Sequence, residues 1–224
     1  MSDDLPATPW CVPTTTDECY RIVLIDRIAN DGMHRESVRK IAHLAETRAL
    51  LAAGGRRSVP MLAIEVLRAA QSIPYVDPSH NQECLQRTDY TVANGGECKA
   101  LAGVLVAVAR LAGLEADPVW VTQTGLAMNH VTSVIYVNGK PEWADASVRG
   151  AALGEDPWSA VSRLGAQHIV GGQRRAPSGK AAPLRWMSKA EAQQHCPYLF
   201  CEYDQQVAAP EKYGYYEWNR GDLR

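Results

Sequence analysis

The dipeptide Asn138-Gly139 is the feature that most constrains how this chain can fold. It separates two runs rich in Val, Ile, Thr, Trp and Tyr, residues 129–137 and 140–148. Asn-Gly is the preferred pair for a two-residue type I′ turn between antiparallel strands. The sequence therefore predicts a β-hairpin, and the length of the turn fixes which residues face each other across it.

The predicted register brings two chemically active side chains together. His130 faces Ser147, and Thr132 faces Asp145. Cross-strand partners share a face of the ribbon, so all four side chains are expected on the same face. His130 and Asp145 are then diagonal neighbours about 7–8 Å apart at Cα, within reach of a side-chain hydrogen bond. A one-residue slip of the register would remove this relation.

The first part of the chain is predicted to be helical. Apolar residues recur at helical spacing over three segments, residues 20–29, 37–53 and 58–73. Residues typical of helix ends follow them: Asn30-Asp31-Gly32, Gly54-Gly55 and Pro74. Ser58 is the expected N-cap of the third helix.

Cys98 is predicted to lie at the start of the next helix. Residues 74–96 show little periodicity, and a loop of that length is usually functional or contains short elements of its own. It leads into a helical pattern over 99–111, with Gly113 as the stop. The macrodipole and free backbone donors of a helix N-terminus favour a thiolate. Cys98 is therefore a candidate nucleophile.

Cys98, His130 and Asp145 together could form a catalytic site. The carboxylate can hold one ring nitrogen of His130 and leave the other to act as a base towards the thiol. We expect Gly95 and Gly96 to leave room for an acyl substrate, and the backbone N–H of Cys98 to donate to an oxyanion. Taken singly, the three residues are more often a buried thiol, a hydrogen-bonded sheet histidine and a turn carboxylate. Their combination favours the catalytic interpretation.

These residues carry a resemblance to a known family. The motifs are Gly96-Glu97-Cys98 before an apolar helix, Asn129-His130-Val131-Thr132 on a strand, and residues 139–147 with the sequence GKPEWADAS. They resemble the transglutaminase-like superfamily, a papain-like, cysteine-catalysed group, over residues 70–148. The resemblance implies an α+β fold in which the nucleophile helix packs on an antiparallel sheet. It also implies that Cys98 is the nucleophile, His130 the general base and Asp145 the orienting acid.

The resemblance implies acyl transfer through a thioester on an amide bond of a peptide or protein, without a cofactor. Water or an amine can resolve the thioester, and we favour hydrolysis over crosslinking. Glu97 stands where the family usually has Asp. Glu97 is also an alternative partner for the histidine, although a first-turn acid beside the helix dipole is the better explanation. No calcium-binding loop is recognisable, which argues against a metal-activated animal-type crosslinker.

We expect one structural domain in three parts: an N-terminal arm and helical lobe (1–55), the transglutaminase-like core (56–150) and a C-terminal extension (151–224). The length of 224 residues suits a single large domain. Residues 198–218 are rich in aromatic side chains, which either cover the core or dock on a protein partner. This aromatic tail supports a second hypothesis, a non-catalytic interaction or assembly protein of phage or prophage origin on the same fold.

The other cysteines raise the question of a metal site. Cys196 and Cys201, beside His195, could bind zinc together with Cys11 and Cys19. The Cys-x4-Cys spacing is at the loose edge for zinc and no second pair lies nearby in sequence, so we predict no metal.

Charge and hydropathy limit the partners that we expect. The net charge of −2 provides no global field for nucleic acid or anionic lipid. No apolar stretch reaches the roughly 20 residues of a membrane helix, and the N-terminus has no secretory pattern. The sequence therefore predicts a reduced, cytoplasmic protein, virion-associated if it derives from a phage.

Overall fold

The computed structural model describes residues 25–26, 28–76, 88–123, 129–164 and 184–187, which form an α+β fold. A helical segment at 28–32 precedes the first labelled helix. The helices are α1 (Glu36–Ala52), α2 (Val59–Gln71), α3 (Thr88–Asn94), α4 (Cys98–Leu111) and α5 (Pro157–Leu164). The strands are β1 (Ala116–Gln123), β2 (Asn129–Val137), β3 (Lys140–Ala144) and β4 (Leu184–Met187), and they form one antiparallel sheet in the order β3-β2-β1-β4.

The first helical segment continues through the residues that were predicted to end it. Residues 30–32 are helical, and the turn follows at 33–34. Gly32 serves close packing instead of a helix stop. A Cβ at Gly32 would lie 2.8 Å from Thr88 Cγ2 and 3.0 Å from the Cβ of Ala107. The glycine therefore lets this segment approach α3 and α4.

Helices α1 and α2 confirm their predicted boundaries to within two residues. Gly54 and Gly55 follow α1 with φ values of 62° and 82°, in the left-handed region that favours glycine. The hydroxyl of Ser58 accepts a hydrogen bond from the backbone N–H of Met61 at 3.4 Å and so caps α2. The long segment after α2 contains the short helix α3, as one of the two expectations for it allowed.

Helix α4 forms the centre of the core. Every residue from 100 to 109 is buried, and α4 contacts α1, α2 and α3 as well as strands β1 and β2. A helix that is apolar on all sides must be covered on all sides, and the sequence of α4 meets that condition. On the sheet side, Ile135 joins the main core cluster and Ser133 donates to the carbonyl of Ala102 at 3.4 Å. Cys98 is thus the first residue of a centrally held helix.

The predicted hairpin register is confirmed as far as the strands extend. Asn138 and Gly139 have φ values of 54° and 78°, as a type I′ turn requires. Pairing runs from Val137 with Lys140 to Ser133 with Ala144. Strand β3 ends there, four residues earlier than predicted.

The expected pairs of Thr132 with Asp145 and of His130 with Ser147 are therefore wrong. The chain turns at Asp145, whose Oδ1 accepts a hydrogen bond from the backbone N–H of Ser147 at 2.8 Å. Asp side chains commonly make this local bond in place of continuing a strand.

A small apolar cluster packs α5 against the turn after β3. Its members are Val148, Ala151 and Ala160. Among the helices of the described ranges, none is long and apolar enough to cross a bilayer.

Candidate active site

Cys98 occupies the first helical position of α4. Glu97 is the N-cap residue, with extended backbone angles, and its carbonyl accepts the first intrahelical bond from Leu101 at 2.9 Å. The first N–H groups of a helix have no partner within the helix, so donors lie around the sulfur. Cys98 is a free, half-buried thiol. This position agrees with the sequence prediction.

The carboxylate of Glu97 is engaged with Lys99. Glu97 Oε1 lies 2.8 Å from Lys99 Nζ, and the Glu97 side chain makes no capping hydrogen bond. His130 instead bonds the carboxylate of Asp145. Of the two acids considered as partners of His130, Asp145 is therefore the one that bonds the ring.

Gly95 and Gly96 make room for neighbouring protein. Both are buried. Gly95 has φ 89°, and a Cβ there would collide with the carbonyl oxygen of Pro74. A Cβ at Gly96 would lie 2.9 Å from both Ala100 Cβ and Thr91 Cγ2. This packing is a role that the sequence did not predict, and the approach of a substrate past the glycines stays a prediction.

The backbone at Gly96 is tied to the segment that follows α2. The N–H of Gly96 donates to the Pro74 carbonyl, and the N–H of Val76 donates to the Gly96 carbonyl, each at 3.1 Å. These bonds form a parallel bridge between Tyr75 and Gly96. The start of α4 is therefore held by backbone hydrogen bonds on the chain immediately before Cys98.

His130 and Asp145 form the predicted hydrogen bond. His130 Nε2 lies 2.7 Å from Asp145 Oδ2. The Asp145 side chain is 0% exposed and that of His130 is 15% exposed. The strand position of His130 was predicted correctly, and the turn at Asp145 makes the contact that a longer strand was expected to make.

The charge on His130 is stabilised by its neighbours. Burial of the ring lowers its pKa, but attraction and hydrogen bonding by Asp145, with smaller contributions from hydrogen bonding and attraction by Cys98, outweigh burial and raise the pKa from 6.5 to about 10. His130 is therefore an imidazolium at neutral pH. Since Nε2 is bonded to Asp145, Nδ1 is the ring nitrogen left for the Cys98 thiol.

One residue at this site was missed by the sequence argument. Gln71, the last residue of α2, is buried, and its side-chain nitrogen contacts the backbone carbonyl of Asp145 at 3.0 Å. The available signal was a polar residue one turn after Leu67 on the buried face of an apolar helix. A buried amide needs partners, but the sequence does not say which ones.

The residues considered as zinc ligands and the aromatic tail lie outside the described residues. The zinc candidates are Cys11, Cys19, His195, Cys196 and Cys201. Within the ranges that the structure describes, no group of three or more His, Cys, Asp or Glu side chains is placed to hold a metal ion. The predictions about zinc and about a protein partner of the tail therefore stay predictions.

Comparison of the chain with protein-family models, with curated proteins and with solved structures gave no match. A function for this chain is therefore inferred from the geometry of Cys98, His130 and Asp145.

Proposed function

We propose that this chain is a cysteine acyl-transfer enzyme with a transglutaminase-like, papain-like core that acts on an amide bond of a peptide or protein. One observation carries the proposal. The His130 ring is hydrogen-bonded on one side to the buried carboxylate of Asp145, and Cys98, which begins a buried helix, is near enough to raise the pKa of the ring. Nucleophilic catalysis requires a nucleophile beside a base that is oriented by an acid, and Cys98, His130 and Asp145 are the candidates for these three groups.

The first half-reaction follows from the charges. The Cys98 thiolate attacks the carbonyl carbon of the amide, and the carbonyl oxygen takes up the negative charge. Backbone N–H groups at the start of α4 are candidate donors to this oxyanion. His130 then gives its proton to the leaving amine nitrogen, the carbon–nitrogen bond breaks, and an acyl thioester remains on Cys98.

The attack also changes the acidity of His130. Cys98 is one of the groups that raise the pKa of His130, and formation of the carbon–sulfur bond uses up the charge of the sulfur before the amine leaves. His130 is therefore a stronger acid towards the leaving amine than it is in the free enzyme. Once neutral, the ring can take a proton from water.

In the second half-reaction water attacks the thioester carbon. His130 accepts the proton of the water molecule and keeps it as the sulfur leaves as a thiolate, which gives a carboxylic acid and the free enzyme with His130 again an imidazolium. We propose water as the acceptor, so the reaction is hydrolysis. A primary amine in its place would form a new amide.

The proposal is tested with p-nitrophenyl acetate as an acyl donor. We expect a burst of p-nitrophenol, with the acetyl group located on Cys98 by peptide mass mapping. The Cys98→Ala variant should give no burst. His130→Gln should slow it by at least about a hundredfold, in the range of general-base losses. His43→Gln is the matched control, because His43 is an exposed histidine on α1.

A wild-type chain that gives no acetyl-Cys98 while remaining folded would contradict the proposal and favour the non-catalytic assembly hypothesis. Loss of the acetyl group from Cys98, followed in buffer alone and with an added primary amine, identifies the acceptor. If only amines discharge the thioester and water does not, the hydrolytic part of the proposal is wrong.

A further inference from the structure

Gln71 makes an unusual set of contacts at the end of α2. Its side-chain nitrogen lies 3.0 Å from the carbonyl of Asp145, 3.1 Å from that of Val148 and 3.0 Å from that of Ala151. All three acceptors belong to the turn that follows β3. Gln71, a residue that is 8% exposed, therefore contacts three backbone carbonyls of that turn through one amide group.

The side-chain amide of Gln71 cannot donate fully to all three carbonyls at once. A side-chain amide carries two N–H protons, whereas three carbonyls face it. The carbonyl of Val148 also accepts from the backbone N–H of Ala151 at 3.0 Å. In the described part of the chain, the Asp145 and Ala151 carbonyls have Gln71 as their hydrogen-bond donor. Among the described residues, the Asp145 and Ala151 carbonyls therefore depend most on Gln71.

We infer that Gln71 is a positioning residue of the candidate active site: it fixes the turn after β3 so that the Asp145 carboxylate meets His130. The inference rests on the proposed function for its catalytic meaning. The carbonyl that Gln71 holds and the carboxylate that holds His130 belong to the same residue. Any shift of the Asp145 backbone therefore moves the carboxylate as well.

Loss of the amide would leave buried carbonyls without a donor. A buried polar group without a partner is costly, so the turn would rearrange until the carbonyls reach water or another donor. The bond from Asp145 Oδ2 to His130 is 2.7 Å long, and such a bond weakens steeply with displacement. Asp145 would then hold the charge on His130 less well.

Gln71→Met tests the inference because methionine has a similar volume and no donor. We expect the pKa of His130, measured by NMR titration of its ring protons, to fall by about 1 or more, since most of the stabilisation of the ring charge comes from Asp145. Asp145 and Cys98 are the titratable groups that act on the ring.

Val38→Ala is the control for lost stability. Val38 is fully buried on α1, so its truncation destabilises the fold without removing a bond to the turn. It should leave the pKa of His130 unchanged. If Gln71→Met does not fold, Gln71→Asn replaces it, because asparagine keeps an uncharged amide but is one methylene shorter, so its amide falls short of the carbonyls. It should lower the pKa of His130 in the same way.

A folded Gln71 variant whose His130 titrates as in the wild type would overturn the inference. Failure of the proposed function has a different signature. In that case the wild-type Cys98 itself would react with iodoacetamide at pH 6 no faster than glutathione does, whatever residue stands at position 71.

Discussion

Asp145 is held at three of its atoms. Oδ2 bonds His130, Oδ1 accepts from the N–H of Ser147, and the backbone carbonyl accepts from Gln71. The side chain is fully buried, so water cannot replace these partners. A carboxylate fixed in this way needs no reorganisation when charge develops on the histidine, which is the condition for electrostatic preorganisation.

Asp145→Asn should weaken the part of the pH dependence of folding stability that comes from His130. In the wild type, the pKa of His130 is raised above its unfolded value, so its contribution to stability is complete below pH 6.5 and is lost as the pH rises to about 10. The advantage of the wild type over Asp145→Asn should shrink across this window, by at most about 1.4 kcal/mol per pH unit.

Urea unfolding of both proteins between pH 6 and pH 10 measures this difference. Direct comparison cancels the titration of surface groups that the two proteins share. An advantage that stays constant over the whole window would show that His130 does not carry the raised pKa.

At the level of elements, the hairpin shows what local sequence can determine. Asn138 and Gly139 have the backbone angles that the dipeptide predicts, and the register followed from them. Asp145 lies beyond the last pair because its side chain accepts a hydrogen bond from the backbone N–H of Ser147, a local competition with strand pairing that strand propensities do not include. The contact with His130 was nonetheless predicted, since a turn and a strand both leave the two side chains close.

The glycines before α4 show the opposite case. Gly95 and Gly96 were interpreted as space for a substrate, because a sequence shows only that a side chain is absent. The structure shows that Pro74, Thr91 and Ala100 pack closely against them. The contact with Pro74 comes from the preceding helix region and cannot be read from the local motif. Gln71 was missed for the same reason, since its partners lie far along the chain.

Gly95→Ala separates this packing from backbone conformation. Gly95 has φ 89° and Gly55 has φ 82°, but a Cβ at Gly55 would meet nothing within 4 Å, whereas one at Gly95 would collide with the Pro74 carbonyl. Both alanine variants carry the cost of a positive φ, about 1–2 kcal/mol. Gly95→Ala should lose at least about 1 kcal/mol more, measured by thermal or urea unfolding. Equal losses would mean that the segment at Pro74 moves aside freely.

At the scale of the whole molecule, Arg110 joins parts of the chain that are distant in sequence. From the last turn of α4 it bonds Asp26 at 2.7 Å, Asn30 at 2.8 Å and Asp117 at 3.2 Å. Its Nε also donates to the Ala116 carbonyl at 3.1 Å. Asp26 is 1% exposed. The first helical segment, α4 and the start of β1 thus share one charged network.

Arg110→Met should destabilise the fold strongly, by about 3–5 kcal/mol, because it leaves the Asp26 carboxylate buried without its guanidinium. The double variant Arg110→Met/Asp26→Asn should recover part of that loss, since it removes the uncompensated charge. Unfolding of the single and double variants in urea gives the coupling between the two residues.

The same variants also test whether stability and reactivity are separate. Arg110 lies about 18 Å from Cys98 along the axis of α4. Below the melting temperature, the rate of Cys98 acetylation should therefore match that of the wild type. A proportional loss of reactivity in the folded variants would show that the network also affects the site.

The order of the three residues along the chain has a consequence for the protein during its synthesis. Cys98 leaves the ribosome before His130, and His130 before Asp145. Until β2 and the turn after β3 have folded against α4, the proposed nucleophile is an ordinary thiol with no imidazolium beside it. The raised reactivity proposed for Cys98 therefore arises only in molecules that have completed their fold.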